Sequence, residues 1–153
     1  MTESPLNRPS NIIAFAIERE KEAAAGYRQL AGIAATPGLR TLALALEGEE
    51  MHHRELLENL GPGAALEPTL NPVVDLGLSD LQPEETISPD MSFQDLLLFA
   101  AKKEKKAAAL YAGLARAAAS RPLRDLFEFL ADQERVHKLK IESEYERHVL
   151  NEN

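Results

Sequence analysis

The chain has 153 residues, 44% of them hydrophobic, which suits one domain, residues 1–153, with one sizeable core. Its formal net charge of −8 excludes the basic stripe that a nucleic-acid binder needs, and it disfavours docking on an anionic membrane. With no cysteine, the chain cannot build thiolate zinc sites, iron–sulfur clusters, rubredoxin-type iron or thiol catalysis, so any metal must sit on oxygen and nitrogen.

The first ten residues, MTESPLNRPS, lack the apolar centre of a signal peptide, and no apolar run reaches the roughly 18–20 residues of a membrane span. A cytoplasmic location is the expectation. From Ser10, a candidate N-cap, a row of residues recurs at alternating spacings of four and three: Ile13, Ile17, Glu20, Ala24, Tyr27, Ala31 and Ala34. Such a row is the buried seam of a bundle helix. Thr36 followed by Pro37 opens a second helix, with the seam Leu39, Ala43, Leu46, Glu50, His53, Leu57 and Leu60.

Residues 61–91 are rich in Pro and Gly and carry no sustained period. Ser92 caps a third helix, with the seam Leu97, Ala101, Glu104, Ala108, Tyr111, Ala115 and Ala118. Ser120 caps a fourth, with the seam Leu123, Phe127, Leu130, Glu134, His137 and Ile141. Each helix has about 25 residues and is therefore about 37 Å long. A connection as long as 61–91 is unusual within a domain, but here it lets the third helix start at the far end of the bundle and run parallel to the second. The expected fold is an all-α four-helix bundle made of two hairpins, 10–60 and 92–150.

The hairpins are repeats of one another. Adding 84 to a residue number superposes Phe15 to His53 on Phe99 to His137 without a gap, and 18 of the 39 positions are identical. Alanine bias explains some matches, but it does not place Glu20/Glu104, Tyr27/Tyr111, Glu50/Glu134 and His53/His137 in register.

Four carboxylates and two imidazoles thus fall on seams otherwise filled by apolar residues. Burying even one unpaired carboxylate costs several kcal/mol. Two divalent cations offset four negative charges and leave a neutral core. Glu20 lies 16 residues before Thr36, and Glu50 and His53 lie 14 and 17 after it, so an antiparallel hairpin brings them level. The second hairpin does the same around Ser120. One Glu from each of two helices and a Glu-x-x-His pair from each of the others is the ligand pattern of carboxylate-bridged dimetal bundles. Residues three apart share a helical face and can bind one metal.

A lone Glu-x-x-His is a weak signal; two copies in a gapless repeat are a strong one. Glu49 with His52 has the same spacing, but its counterparts are Gln133 and Val136 and it falls beside the seam, so it is set aside. His52 and His148 read as solvated or rim histidines, and Glu18 and Glu22, which become Lys102 and Lys106, as solvated charge. Tyr27 and Tyr111 read equally well as core aromatics with satisfied hydroxyls and as donors to a metal-bound carboxylate on a facing helix.

The segments Glu20-KEAAAG-Tyr27, LALEG-Glu50-x-x-His53, MSFQDLLLFAAKK-Glu104 with Tyr111, LFEFLADQ-Glu134-x-x-His137 and the closing YERHVLNEN together resemble the rubrerythrin family of the ferritin-like superfamily. The resemblance implies a ferritin-like bundle with a non-haem site for two iron ions. In that site Glu50 and Glu134 bridge, Glu20 and Glu104 are terminal, and each metal takes one histidine. It also implies peroxidase or ferroxidase activity and a homodimer. Two features depart from the family. Rubrerythrins proper carry a further ligand Glu near the third-helix one, but Ala101 and Ala107 flank Glu104 here, and no rubredoxin domain can be built without cysteine. An electron donor, such as a rubredoxin, would be a separate protein.

The expected function is that of a di-iron oxidoreductase reducing hydrogen peroxide or dioxygen, with Glu20, Glu50, His53, Glu104, Glu134, His137, Tyr27 and Tyr111 as its working residues. Ala24 and Ala108 are expected to leave room for a diatomic. The alternatives are an iron-binding or delivery module, a coat or scaffold bundle and, more weakly, an oxygenase. The same donor set also suits manganese or a mixed Mn/Fe pair.

Overall fold

The computed structural model describes residues 9–60, 88–118 and 120–150. Four helices follow in chain order: α1 (Pro9–Ile33), α2 (Pro37–Glu58), α3 (Phe93–Ala117) and α4 (Arg121–Tyr145), the last running into a π-helical turn, Glu146–Leu150. None is long and apolar enough to cross a membrane.

Local chemistry explains where three of the helices begin. The side chains of Thr36, Ser92 and Ser120 accept from the backbone N–H of Leu39, Asp95 and Leu123 at 3.2, 3.1 and 3.4 Å, satisfying donors that a helix start leaves orphaned. α1 differs from the expectation. It begins at Pro9, so Ser10 stands within its first turn; a proline fits a first helical position, where its missing N–H would go unused. Of the expected 61–91 connection, residues 61–87 lie outside the described residues.

Contacts across the helices give their directions. Arg28 pairs with Glu47 and Glu20 faces His53, so α1 and α2 are antiparallel. Tyr27 meets Glu104 while Tyr111 meets Glu20, so α1 and α3 are antiparallel too. Hence α3 runs parallel to α2, as a long connection between the hairpins permits.

Every expected seam residue of α2 from Leu39 to Leu57, and of α4 from Leu123 to Ile141, is buried. On α1 and α3 the expected seam residues Ile17 and Ala101 are only half-buried, as is Ala34 just beyond α1, while residues off the seam are buried. Ile12, Ala16 and Leu30 on α1, and Leu96, Phe99, Leu110 and Leu114 on α3, are also in the core. These two helices face each other as well as their hairpin partners, so a wider arc of each is covered.

The apolar core is in two parts. One gathers Ile12, Ile13 and Ala16 of α1 with Leu57, Leu110, Leu114, Phe127 and Leu130. The other gathers Leu30 and Ala31 with Ala43, Leu46, Leu96, Leu97 and Ile141. On every helix the six polar seam residues fall between the stretches that feed these two clusters. They form a polar layer sealed above and below by hydrocarbon.

Candidate metal centre

Glu20, Glu50, His53, Glu104, Glu134 and His137 are each 2% exposed or less. Each comes from a rigid helix interior, and the gapless repeat puts the two hairpins' contributions at the same height. All six residues converge. Glu20, Glu50, His53 and Glu134 bring one ligand atom apiece within 4.8 Å of one another, and so do Glu50, Glu104, Glu134 and His137. Each group can hold one metal ion, and Glu50 and Glu134 belong to both, the position a bridging carboxylate occupies.

The histidines are arranged alike. Nδ1 of His53 lies 3.0 Å from Glu134 and 3.7 Å from both Glu20 and Glu50. Nδ1 of His137 lies 2.7 Å from Glu50 and 3.6 Å from both Glu104 and Glu134. The two rings stack with centroids 5.7 Å apart. In both, Nδ1 is the nitrogen turned into the carboxylate cluster.

Tyr27 donates its hydroxyl hydrogen to Oε1 of Glu104, and Tyr111 donates to Oε1 of Glu20 at 2.6 Å. Each tyrosine is a buried core aromatic with its hydroxyl satisfied, and the acceptor is a carboxylate on the facing helix. Burial, reinforced by Glu104 for Tyr27 and by Glu20 for Tyr111, holds both phenols well above their usual range, so they remain donors.

The donor set fits a pair of cations on an observation independent of sequence pattern. One oxygen on each of the four glutamates is buried without a hydrogen-bond partner: Oε2 of Glu20, Glu50 and Glu104, and Oε1 of Glu134. A buried carboxylate oxygen left bare is costly, and a cation is the partner that answers all four together. Without cations the cluster relieves its charge by holding protons. Burial, and then the charge of Glu104, raises Glu50 well above the ordinary carboxylate range; burial and Glu50 do the same to Glu134. Burial also acts to raise Glu104, but His137 beside it prevails and lowers it. Burial acts to lower His53 and His137, yet the carboxylates around them win. His53 is pushed up to about 12 and His137 is raised.

Glu49 and His52 lie in neither group. Glu49 does fall beside the seam, half-exposed, but its Oε2 reaches 2.8 Å from Nε2 of the buried His137. Its position directly before Glu50 was the available signal, since the neighbour of a buried seam residue can reach across to the opposite helix. His52 is exposed, and His148 sits at the rim, 2.9 Å from Glu144. Glu18 is exposed, whereas Glu22 is half-buried and pairs with Arg19 at 3.4 Å and Lys103 at 3.2 Å, joining α1 to α3.

A cavity of about 20 Å³ lies between α1 and α3 and reaches Glu20, Glu104 and Glu134. Ala23 and Ala107 line it, one position before the expected Ala24 and Ala108, because the gap opens on the outer side of the seam rather than along it. It has room for one water-sized molecule.

No family model and no curated protein matches the chain. Two solved structures are similar to it. A hypothetical protein from Pyrococcus furiosus is 24% identical, with a TM-score of 0.66 over 92% of this chain and 88% of that one. A Thermotoga maritima protein, provisionally described as a ferritin-like diiron-carboxylate protein, is 21% identical, with a TM-score of 0.67 over 92% of this chain and 95% of that one. At these identities the likeness establishes a shared fold, a four-helix bundle.

Proposed function

We propose that this chain is a non-haem di-iron oxidoreductase that couples Fe(II) oxidation to reduction of hydrogen peroxide or dioxygen. The observation that carries this reading is the bare, buried oxygen on each of four glutamates arranged as two overlapping groups. Glu20 and His53 would hold one ion, Glu104 and His137 the other, and Glu50 and Glu134 both. Two Fe(II) ions there would supply, one electron each, the pair that reduces one hydrogen peroxide to two waters with uptake of two protons.

The remaining work belongs to the chain. Tyr27 and Tyr111 fix the orientation of Glu104 and Glu20 through hydrogen bonds. The two apolar clusters exclude bulk water from both sides of the polar layer. The small cavity between α1 and α3, with room for one water-sized molecule, is too small for an organic substrate, which argues against an oxygenase. On this reading the electron donor is a separate protein.

Iron binding or delivery with a single incidental oxidation is a second reading. Anaerobic loading with Fe(II), followed by stopped-flow mixing with peroxide and a reductant, separates the two. Repeated turnover supports the oxidoreductase. One stoichiometric oxidation supports the carrier, and a protein that takes up no iron overturns both.

A further inference from the structure

The repeat makes the two halves of the site nearly interchangeable, and one position breaks the match at the point of contact. On α2, Glu49 stands directly before Glu50 and brings a carboxylate oxygen to 2.8 Å from Nε2 of His137. Adding 84 gives Gln133 on α4, directly before Glu134, an amide with no formal charge. Both histidines turn Nδ1 toward the carboxylate cluster. A nitrogen that binds a metal carries no proton, so the ring proton of each must then reside on Nε2.

We infer that Glu49 is a positioning residue for His137, accepting a hydrogen bond from its Nε2–H so that Nδ1 is presented to a metal, and that Gln133 leaves His53 without an equivalent charge, so the two metal positions are inequivalent. This rests on the dimetal reading above. In the present geometry the Glu49 oxygen is close to Nε2 but not aligned as a hydrogen bond, and Nδ1 is engaged with Glu50 at 2.7 Å. With Nδ1 given to a cation, the one ring proton would sit on Nε2, where Glu49 is the acceptor in reach. An anionic acceptor on the outer nitrogen makes imidazole a stronger electron donor and locks its ring orientation. The position formed by Glu50, Glu104, Glu134 and His137 is therefore the tighter of the two. Glu49 is also half-exposed, so it couples that buried ligand to the surface between α2 and α4.

The test is an anaerobic titration of the metal-free chain with Co(II), followed by visible absorption, in the wild type, Glu49→Gln and Gln133→Glu. Two resolved steps are expected in the wild type. Glu49→Gln makes the halves alike, weakening the tighter step about tenfold or more so that the steps merge. Gln133→Glu strengthens the weaker step. With Zn(II) bound and histidines labelled with nitrogen-15, the Nε2–H of His137 should exchange slowly in the wild type and rapidly in Glu49→Gln. Two-metal uptake that is identical in all three proteins, with unchanged exchange at His137, overturns this inference and leaves the dimetal reading standing. Absence of two-metal uptake in the wild type overturns both.

Discussion

The hydroxyl of Tyr111 lies 2.6 Å from Oε1 of Glu20, a residue 91 positions earlier in the chain. The repeat returns the relationship, since Tyr27 donates to Glu104. Each hairpin therefore steadies the lone glutamate of the other, and the two halves are joined at the site by polar contacts as well as by packing.

Removing one of these donors leaves a buried carboxylate oxygen unanswered. Tyr27→Phe and Tyr111→Phe should each destabilise the metal-free protein by about 1–3 kcal/mol in denaturant unfolding. A double-mutant cycle of Tyr27→Phe with Glu104→Gln should be non-additive, whereas Tyr27→Phe with Glu20→Gln should be close to additive. Equal coupling in the two cycles would contradict the crossed pairing.

Glu50 and Glu134 each belong to both candidate metal groups. Metal analysis should find about two ions per wild-type chain, and Glu50→Ala or Glu134→Ala should lose the pair. Glu49→Ala should keep a pair with one position weakened. Loss of both metals from Glu49→Ala would show that the ligand register is misassigned.

Metal-free stability should fall as pH rises. Glu50 and Glu134 are raised above 4.5, so their contribution is complete below that value and is lost on climbing through their folded values. His53, raised from 6.5 to about 12, contributes fully below 6.5 and progressively less above it. Glu104, lowered from 4.5, works the other way and loses its contribution only on acidification. Bound cations compete with these protons, so metal binding strengthens with pH. The gap in melting temperature between metal-loaded and chelated protein should widen from about pH 5.5 to about pH 8. A constant gap would count against proton storage by the cluster.

The cavity against Glu20, Glu104 and Glu134 predicts where an oxidant enters. Ala107→Leu should fill that space and slow oxidation by peroxide while leaving two metals bound, because Ala107 lines the gap and makes no contact assigned to a ligand. An unchanged rate would place the entrance elsewhere.

Packing makes a separate prediction. Leu46 is completely buried, and Leu46→Ala should cost about 2–5 kcal/mol, with or without metal. Leu139, 64% exposed, should tolerate alanine within about 0.5 kcal/mol. Calorimetric scans of both variants distinguish the two positions.

Local sequence sets the four helices and most of the face each one buries. A spacing of four and three places Glu50 and His53 on one side of α2 whatever surrounds it, and Thr36, Ser92 and Ser120 act within a single turn of backbone. The repeat then brought the six polar residues to one height, since two copies of a rigid helix pair carry their residues at equal distance from their turns. Contacts between helices were decided only in three dimensions. Whether Tyr27 reaches its own hairpin's glutamate or the other's, whether Glu49 touches His137, and whether Ala23 or Ala24 borders a cavity all depend on how far each helix is rotated and shifted against its neighbours. Periodicity along one helix records which side is buried. It holds no record of that rotation, which is set by how every side chain in the two apolar clusters packs at once.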